Sequence, residues 1–198
     1  MIRIILIGMI IVLNATGCVN NNNQAQENEA ATPPPAVSEV PKPTEAPKTE
    51  SVIAEFKTPI KDARKARLQN IQLSINAINK ATIKSGEVFS FNDIVGPRTK
   101  ERGYKKAIVF EKGEKIMGYG GGICQVSTVI YNAAMQAGLE IIERHEHQEP
   151  VNYIEKGKDA TVNYDTADLK IKNTKPYSIN INVIKNAKSI DAKIIMTK

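Results

Sequence analysis

The sequence predicts an α+β domain: a cysteine-bearing helix and a second helix packed on an antiparallel sheet that ends in a C-terminal β-meander. Two stretches carry apolar residues at helical spacing, the period changes to two after residue 138, and short polar turns separate the alternating segments. The 198 residues leave room for one ordinary domain with appendages.

The appendages come first. Residues 1–18, MIRIILIGMIIVLNATGC, carry one basic residue, Arg3, then an apolar run and small residues before Cys18. That is the layout of a secretory signal, too short for a permanent bilayer span. Ala15-Thr16-Gly17-Cys18 resembles the lipobox of bacterial lipoproteins, with Ala15 where leucine is usual. Cys18 is therefore the expected lipidation site, anchoring the chain on the extracellular face of the cytoplasmic membrane. A plain cleaved signal is the alternative. Residues 19–51 hold six of the ten prolines and a run of asparagines, and are expected to form a disordered tether. The domain is expected over 52–198. It carries 24 basic and 16 acidic residues, net +8, against −3 for the linker. Wall polymers, peptide carboxylates and lipid headgroups are fitting anionic partners, and a solvated lysine-rich surface is the bland one. Export argues against nucleic acid.

In order along the domain, Leu68, Ile71, Ile75 and Ile78 predict a helix. EVFSFNDIVG reads as a short strand broken at Gly96-Pro97, and YKKAIVF as another, turning over 111–114. Val126, Val129, Ile130, Ala133, Ala134 and Ala137 form one face of a helix stopped at Gly138. Cys124 projects almost opposite that stripe, beside Thr128, Tyr131 and Met135, on a second surface. LEIIERHEHQ reads as a strand with Leu139, Ile141, His145 and His147 on one face. ATVNY, DLKIK, YSININVI and SIDAKIIM continue the alternation, with Ile179, Ile181, Val183, Ile190, Ala192, Ile194 and Met196 inward.

With Cys18 lipidated, Cys124 has no internal partner and is either buried and inert or reactive. It follows Gly120, Gly121 and Gly122 and opens a helix, whose free N–H groups and dipole favour a thiolate and offer an oxyanion site. Glycines admit unusual backbone conformations and close approach of a substrate. The only histidines, His145 and His147, follow about twenty residues later as candidate bases, and Asp159, ahead of Asp165 or Asp168, is the candidate orienting carboxylate. The order Cys, His, Asp is that of papain and transglutaminase-like enzymes, not of the L,D-transpeptidases. Other readings stay open. Cys124 fits a small core residue; Cys124, His145 and His147 fit three zinc ligands; the cleft fits non-catalytic binding. No cofactor is expected. Arg98, Lys100, Arg102, Lys105 and Lys106 read as a solvated turn and strand edge, or as a grip for phosphate or carboxylate groups.

FSFNDIVGPRTKERGYKKAIVF, GYGGGICQVSTVIYNAAMQAGLEIIERHEHQEPVNYIEKGKDATVNY and DLKIKN closely resemble the VanW family, over roughly 52–185. The family is named for an accessory protein of B-type vancomycin-resistance clusters and occurs in bacterial envelope proteins. The resemblance implies an envelope protein, of a family often found beside peptidoglycan-binding modules and linked by name to glycopeptide resistance, here with a lipid tether in place of separate wall-binding modules. The glycine-framed thiol and the two histidines add the expectation that it acts on peptidoglycan or its precursors. By matching motifs, Gly120, Gly121, Gly122, Cys124, Gln125, Ser127, Arg144, His145, His147 and Asp159 fall on family positions. Cys124, His145, His147 and Asp159 are the expected catalytic set. The glycines, Gln125, Ser127 and Arg144, with Arg98, are the expected substrate contacts.

Overall fold

The computed structural model describes residues 50–111 and 114–197. The expected signal, Cys18 and nearly all of the expected linker lie outside the described residues. In chain order the elements are β1 (Glu50–Pro59), α1 (Lys65–Ile78), β2 (Thr82–Ile83), β3 (Val88–Ser90), α2 (Phe91–Val95), β4 (Lys106–Glu111), β5 (Glu114–Tyr119), α3 (Cys124–Gln136), β6 (Glu140–Glu143), β7 (Lys170–Lys172), β8 (Ser178–Lys185) and β9 (Ser189–Thr197). Helices packed on antiparallel sheets make an α+β fold. Among the described residues no helix is long and apolar enough to cross a membrane.

The alternating C-terminal segments form the main sheet, in the order β1-β9-β8-β2, with each neighbouring pair antiparallel. Ile179, Ile181 and Val183 of β8 and Ile190, Ala192 and Ile194 of β9 are buried. Met196, expected beside them, is half-buried at the end of its strand. Against this layer pack Ile71, Ile75 and Ile78 of α1 and Val126, Val129, Ile130, Ala133 and Ala134 of α3, all within one core. Each such aliphatic side chain contributes about 1.5–3 kcal/mol on burial. The helical stripes read from the sequence are the buried faces.

β1 was not expected. It starts at Glu50, inside the presumed linker, and runs antiparallel along β9, with an irregularity between Val52 and Ala54 that breaks its alternation. EVFSFNDIVG is not one strand either. β3 ends at Ser90, whose hydroxyl accepts a hydrogen bond from the Asp93 N–H at 3.1 Å and so caps α2. β5 returns along β4 as a hairpin, where only a turn was anticipated.

The segment after α3 departs furthest from expectation. β6 stops at Glu143 after a register shift, and β3, β7 and β6 form a separate three-stranded sheet. His145 keeps only an isolated bridge to Thr161, and ATVNY carries two such bridges and no strand. Residues 144–167 are thus largely irregular, and they carry the site.

Candidate functional site

The glycine run is shaped by what presses on it. A Cβ on Gly120 would meet the Arg98 stem at 2.8 Å, one on Gly121 the Ile108 carbonyl at 2.5 Å, and one on Gly122 the Arg67 stem at 2.6 Å. Gly120 and Gly122 also take positive φ, 84° and 106°. Asn70, fully buried, donates from Nδ2 to the Lys105 and Gly121 carbonyls and accepts from the Lys105 N–H, fixing the run against β4. The glycines therefore admit two arginine stems and a neighbouring backbone, where the sequence had suggested room for substrate.

α3 begins at Cys124. The helix presents the cysteine and also holds the loop that faces it. Ser127 donates from Oγ to the Ala160 carbonyl at 2.7 Å, and Thr128 Oγ1 accepts from the Ala160 N–H at 3.0 Å. Asn132 donates to the Lys158 carbonyl at 2.7 Å. These side chains bind residues 158–160 as a strand would, so the second face of α3 is covered at Thr128 and not open. Gln125 is buried too, joining the Arg67 guanidinium at 2.6 Å to the Thr58 hydroxyl and the Pro59 carbonyl. Gln125 and Ser127, expected as substrate contacts, spend their polar atoms inside the fold.

Asp159, brought in by that loop, is buried. Its Oδ2 accepts from the His147 N–H at 2.7 Å and lies 2.6 Å from His147 Nδ1. A carboxylate only accepts, so Nδ1 carries the hydrogen and Nε2 is left for other work. Arg144 positions the loop: Nε donates to the Asp159 carbonyl at 2.7 Å, Nη2 to the Gly157 carbonyl at 2.9 Å, and the guanidinium stacks over Tyr131. Its reach toward Asp159 Oδ1 is longer, 3.5 Å.

The thiol is half-buried. Sγ lies 3.5 Å from Thr161 Oγ1 and 3.6 Å from the Val162 carbonyl, and His147 acts on its titration. Burial pushes the Cys124 thiol up, but the hydrogen bond and charge of His147, with smaller help from Val162 and Thr161, outweigh it and bring it below its ordinary value. Burial pulls His147 down, and hydrogen bonding and charge from Cys124, then from Asp159, raise it overall. Burial raises Asp159, and its hydrogen bonds from His147 lower it further than that. All three shifts run in the direction that favours the charged form of each group.

His145 does not join them. Its Nε2 lies 2.9 Å from Glu143 Oε1, and the side chain is 42% exposed, against 9% for His147. The expectation of both rings on one strand face fails because the strand ends at Glu143. The zinc set of Cys124, His145 and His147 loses a ligand with it, and no group of three or more potential ligands is assembled among the described residues. Asp168 is occupied elsewhere, accepting from Ser90 Oγ at 2.6 Å and the Asn92 N–H at 2.9 Å. Asp165 is exposed on a turn.

Sequence reasoning passed over Arg67 and Tyr153. Both feel the Cys124 charge, and the Tyr153 hydroxyl is buried with no partner in hydrogen-bond geometry. Burial, first, and then the Cys124 charge hold Tyr153 above the ordinary tyrosine range, hence protonated. The glycine run was the available signal, since three consecutive glycines imply neighbours pressing on the backbone. Arg98, expected at a solvated turn, is instead half-buried. Its guanidinium lies over the Phe91 and Tyr164 rings, 5.6 and 5.8 Å from their centroids.

A family model described as VanW like protein matches residues 66–195. The chain belongs to the VanW family. Over 172 residues it is 37% identical to the uncharacterized protein YoaR of Bacillus subtilis (strain 168), covering 82% of this chain and 55% of that one. Over 109 residues it is 34% identical to the vancomycin B-type resistance protein VanW of Enterococcus faecalis (strain ATCC 700802 / V583), covering 52% of this chain and 40% of that one. The chain thus spans about half the length of the curated relatives it matches. No solved structure matches it. The VanW match contains Arg67, Arg98, Cys124, His147 and Asp159 and leaves out β1, whose Thr58 and Pro59 bond Gln125.

Proposed function

We propose that this VanW-family protein is a cysteine-dependent acyl-transfer enzyme of the cell envelope, acting on peptide bonds of peptidoglycan or its precursors. The observation that carries the reading is His147 bonded through Nδ1 to the buried Asp159 carboxylate, with its charge acting on the Cys124 thiol. In the first step the Cys124 sulfur attacks a peptide carbonyl. The carbon–nitrogen bond breaks, and the imidazolium of His147 gives its Nε2 proton to the departing amine. The resulting thioester is then attacked by water or by a second amine, whose proton returns to His147, and the thiolate leaves. The Cys124 N–H, in the first turn of α3, is a donor for the oxyanion. Asp159 fixes the imidazole tautomer, and Arg144 fixes Asp159.

Envelope placement rests on the signal layout and lipobox, with Cys18 as the membrane anchor, and on the resistance named in the E. faecalis relative. Vancomycin resistance concerns wall precursors, which fits a peptide substrate. Alkylation with iodoacetamide at pH 7 is the test. Cys124 reacting faster than a free cysteine, with Cys124→Ala abolishing turnover of wall peptides, is the expected result; an ordinary rate with full function in Cys124→Ala would remove the proposal.

A non-catalytic wall-binding module is the second reading. It is favoured by the β4–β5 hairpin, whose face near His147 exposes Phe110 and Tyr119 with Lys115 and Lys106 stacked over them. Binding of wall fragments that survives Cys124→Ala, without turnover in the wild type, is its result.

A further inference from the structure

Arg98 holds two unpaired donors beside the thiol site. Its Nη2 donates to Asn92 Oδ1 at 2.6 Å, while Nε and Nη1 are buried with no hydrogen-bond partner. Each guanidinium nitrogen pair forms a two-donor edge, and Nη2 has given only one of its two hydrogens to Asn92. One complete edge is therefore free, the pattern that a carboxylate fills with two parallel bonds. Leaving such donors buried and unpaired is costly, so their retention asks for a function.

Placement ties this edge to Cys124. The Arg98 stem lies on Gly120, whose carbonyl accepts from the Ile123 N–H at 3.2 Å, one residue before the cysteine. The guanidinium also lies over the Phe91 and Tyr164 rings. Asn92, which orients Nη2, is itself locked, donating from Nδ2 to the Asn163 and Ala167 carbonyls at 3.0 and 2.9 Å. Those two residues bracket the turn that carries Tyr164, and Tyr164 is 48% exposed. The Asp168 charge acts on Arg98, but its oxygens are engaged by Ser90, Asn92 and Leu169 and make no bond to the guanidinium.

We propose that Arg98 is a specificity residue that binds a free substrate carboxylate close to the carbonyl attacked by Cys124, with the Tyr164 ring covering the guanidinium until that carboxylate arrives. The substrate class is then a peptide with a terminal carboxylate near the bond that is broken. A lysine would keep the charge and the stem on Gly120, but not the planar edge.

This rests on the acyl-transfer reading for its location, and the experiment separates the two. The wall stem tetrapeptide and pentapeptide are supplied to the full chain, each as the free acid and as the C-terminal amide. Wild type is expected to favour an acid over its amide by about 10- to 100-fold in kcat/KM, the range for a lost charged hydrogen-bond partner. Arg98→Gln is expected to bring that ratio near one, and Arg98→Lys to an intermediate value. A wild type indifferent to the terminal group, or a ratio unchanged in Arg98→Lys, overturns the assignment. Should Arg98→Gln fail to fold, Arg98→Lys decides alone. If wild type turns over none of the four peptides, the enzyme reading fails, and calorimetry on Cys124→Ala takes over. Acid bound more tightly than amide, with the difference lost in Cys124→Ala/Arg98→Lys, sustains the carboxylate site; no such difference overturns it.

Discussion

The four-stranded sheet and residues 144–167 both pack on α3 and are held by opposite means. β8 and β9 pair residue for residue and bury aliphatic side chains on one face, so their stability is spread over many interchangeable contacts. The 144–167 segment has almost no ladder. It is held by single polar atoms: Ser127 and Thr128 on Ala160, Asn132 on Lys158, Arg144 on Gly157 and Asp159, Asn92 on Asn163 and Ala167. A sheet fixes a layer. A set of directional bonds to an irregular backbone fixes individual atoms, which a nucleophile and its base require. The difference predicts that damage to the sheet appears as lost stability with the chemistry intact, and damage to the loop as the reverse.

The largest expected effect lies at the thiol. Cys124→Ala should lower wall-peptide turnover by about ten-thousand-fold or more while leaving the melting temperature nearly unchanged, since it removes one sulfur from a half-buried site. Turnover and thermal unfolding on one preparation check both halves.

Asp159→Asn comes next, with a turnover loss of about 100- to 10,000-fold. The sign with pH is definite. Because the folded Cys124 value lies below its ordinary one, alkylation of the wild type should stay fast as pH falls from alkaline to neutral. Because the folded His147 value is raised, the imidazolium is lost only as pH rises through that value, and turnover should fall there. Asn removes the carboxylate that sustains the imidazolium, so the alkylation profile should move toward the ordinary thiol range. Stability follows the same linkage. The depressed Asp159 contributes above the ordinary carboxylate range and is lost as pH falls through its folded value; the raised His147 contributes below the ordinary imidazole value and is lost as pH climbs through its folded one. An alkylation profile that does not shift in Asp159→Asn would show that the triad is not electrostatically coupled.

In the sheet, Ile181→Ala should cost about 2–5 kcal/mol by chemical denaturation. Ile181 is 1% exposed and paired to Ile194, itself fully buried. Alkylation of the remaining folded protein should keep its wild-type pH profile.

This contrast also explains what could be read in advance. The stripes of α1 and α3 and the alternation of β8 and β9 repeat one rule over many residues, and repetition is what pattern reading detects. α2 escaped because five residues hold no period, and β1 because its irregularity near Ile53 sets two apolar residues side by side. Cys124 and Asp159 were legible as chemistry, a thiol after glycines and a carboxylate downstream. Which histidine serves was not: carrying period two past Glu143 set both on one face, and only the end of β6 separates them. Arg67 and Tyr153 reach the site from distant parts of the chain, with no local spacing to announce them.

The smallest expected effect tests that separation most directly. His145 and His147 are two residues apart and chemically identical, so a comparison of their alanine variants isolates environment alone. His145 bonds Glu143, but Glu143 also accepts from Lys170 Nζ at 2.8 Å and from the Asp168 N–H at 3.0 Å. Lys170, first, and then His145 hold that carboxyl at about 2, so loss of the imidazole leaves the stronger partner in place. The one backbone tie of residue 145, its carbonyl accepting from the Thr161 N–H at 2.9 Å, is indifferent to the side chain. His145→Ala should therefore change stability by no more than about 0.5 kcal/mol, as exposed pairs do. Thiol alkylation should stay within about twofold of wild type, since no step of the acid–base relay passes through residue 145. His147→Ala should slow alkylation at pH 7 by far more, because it removes the main group that opposes burial at the thiol. If the two variants behaved alike, the imidazole would be exchangeable between the positions, and the assignment of the base to His147 would fall while the nucleophile stood.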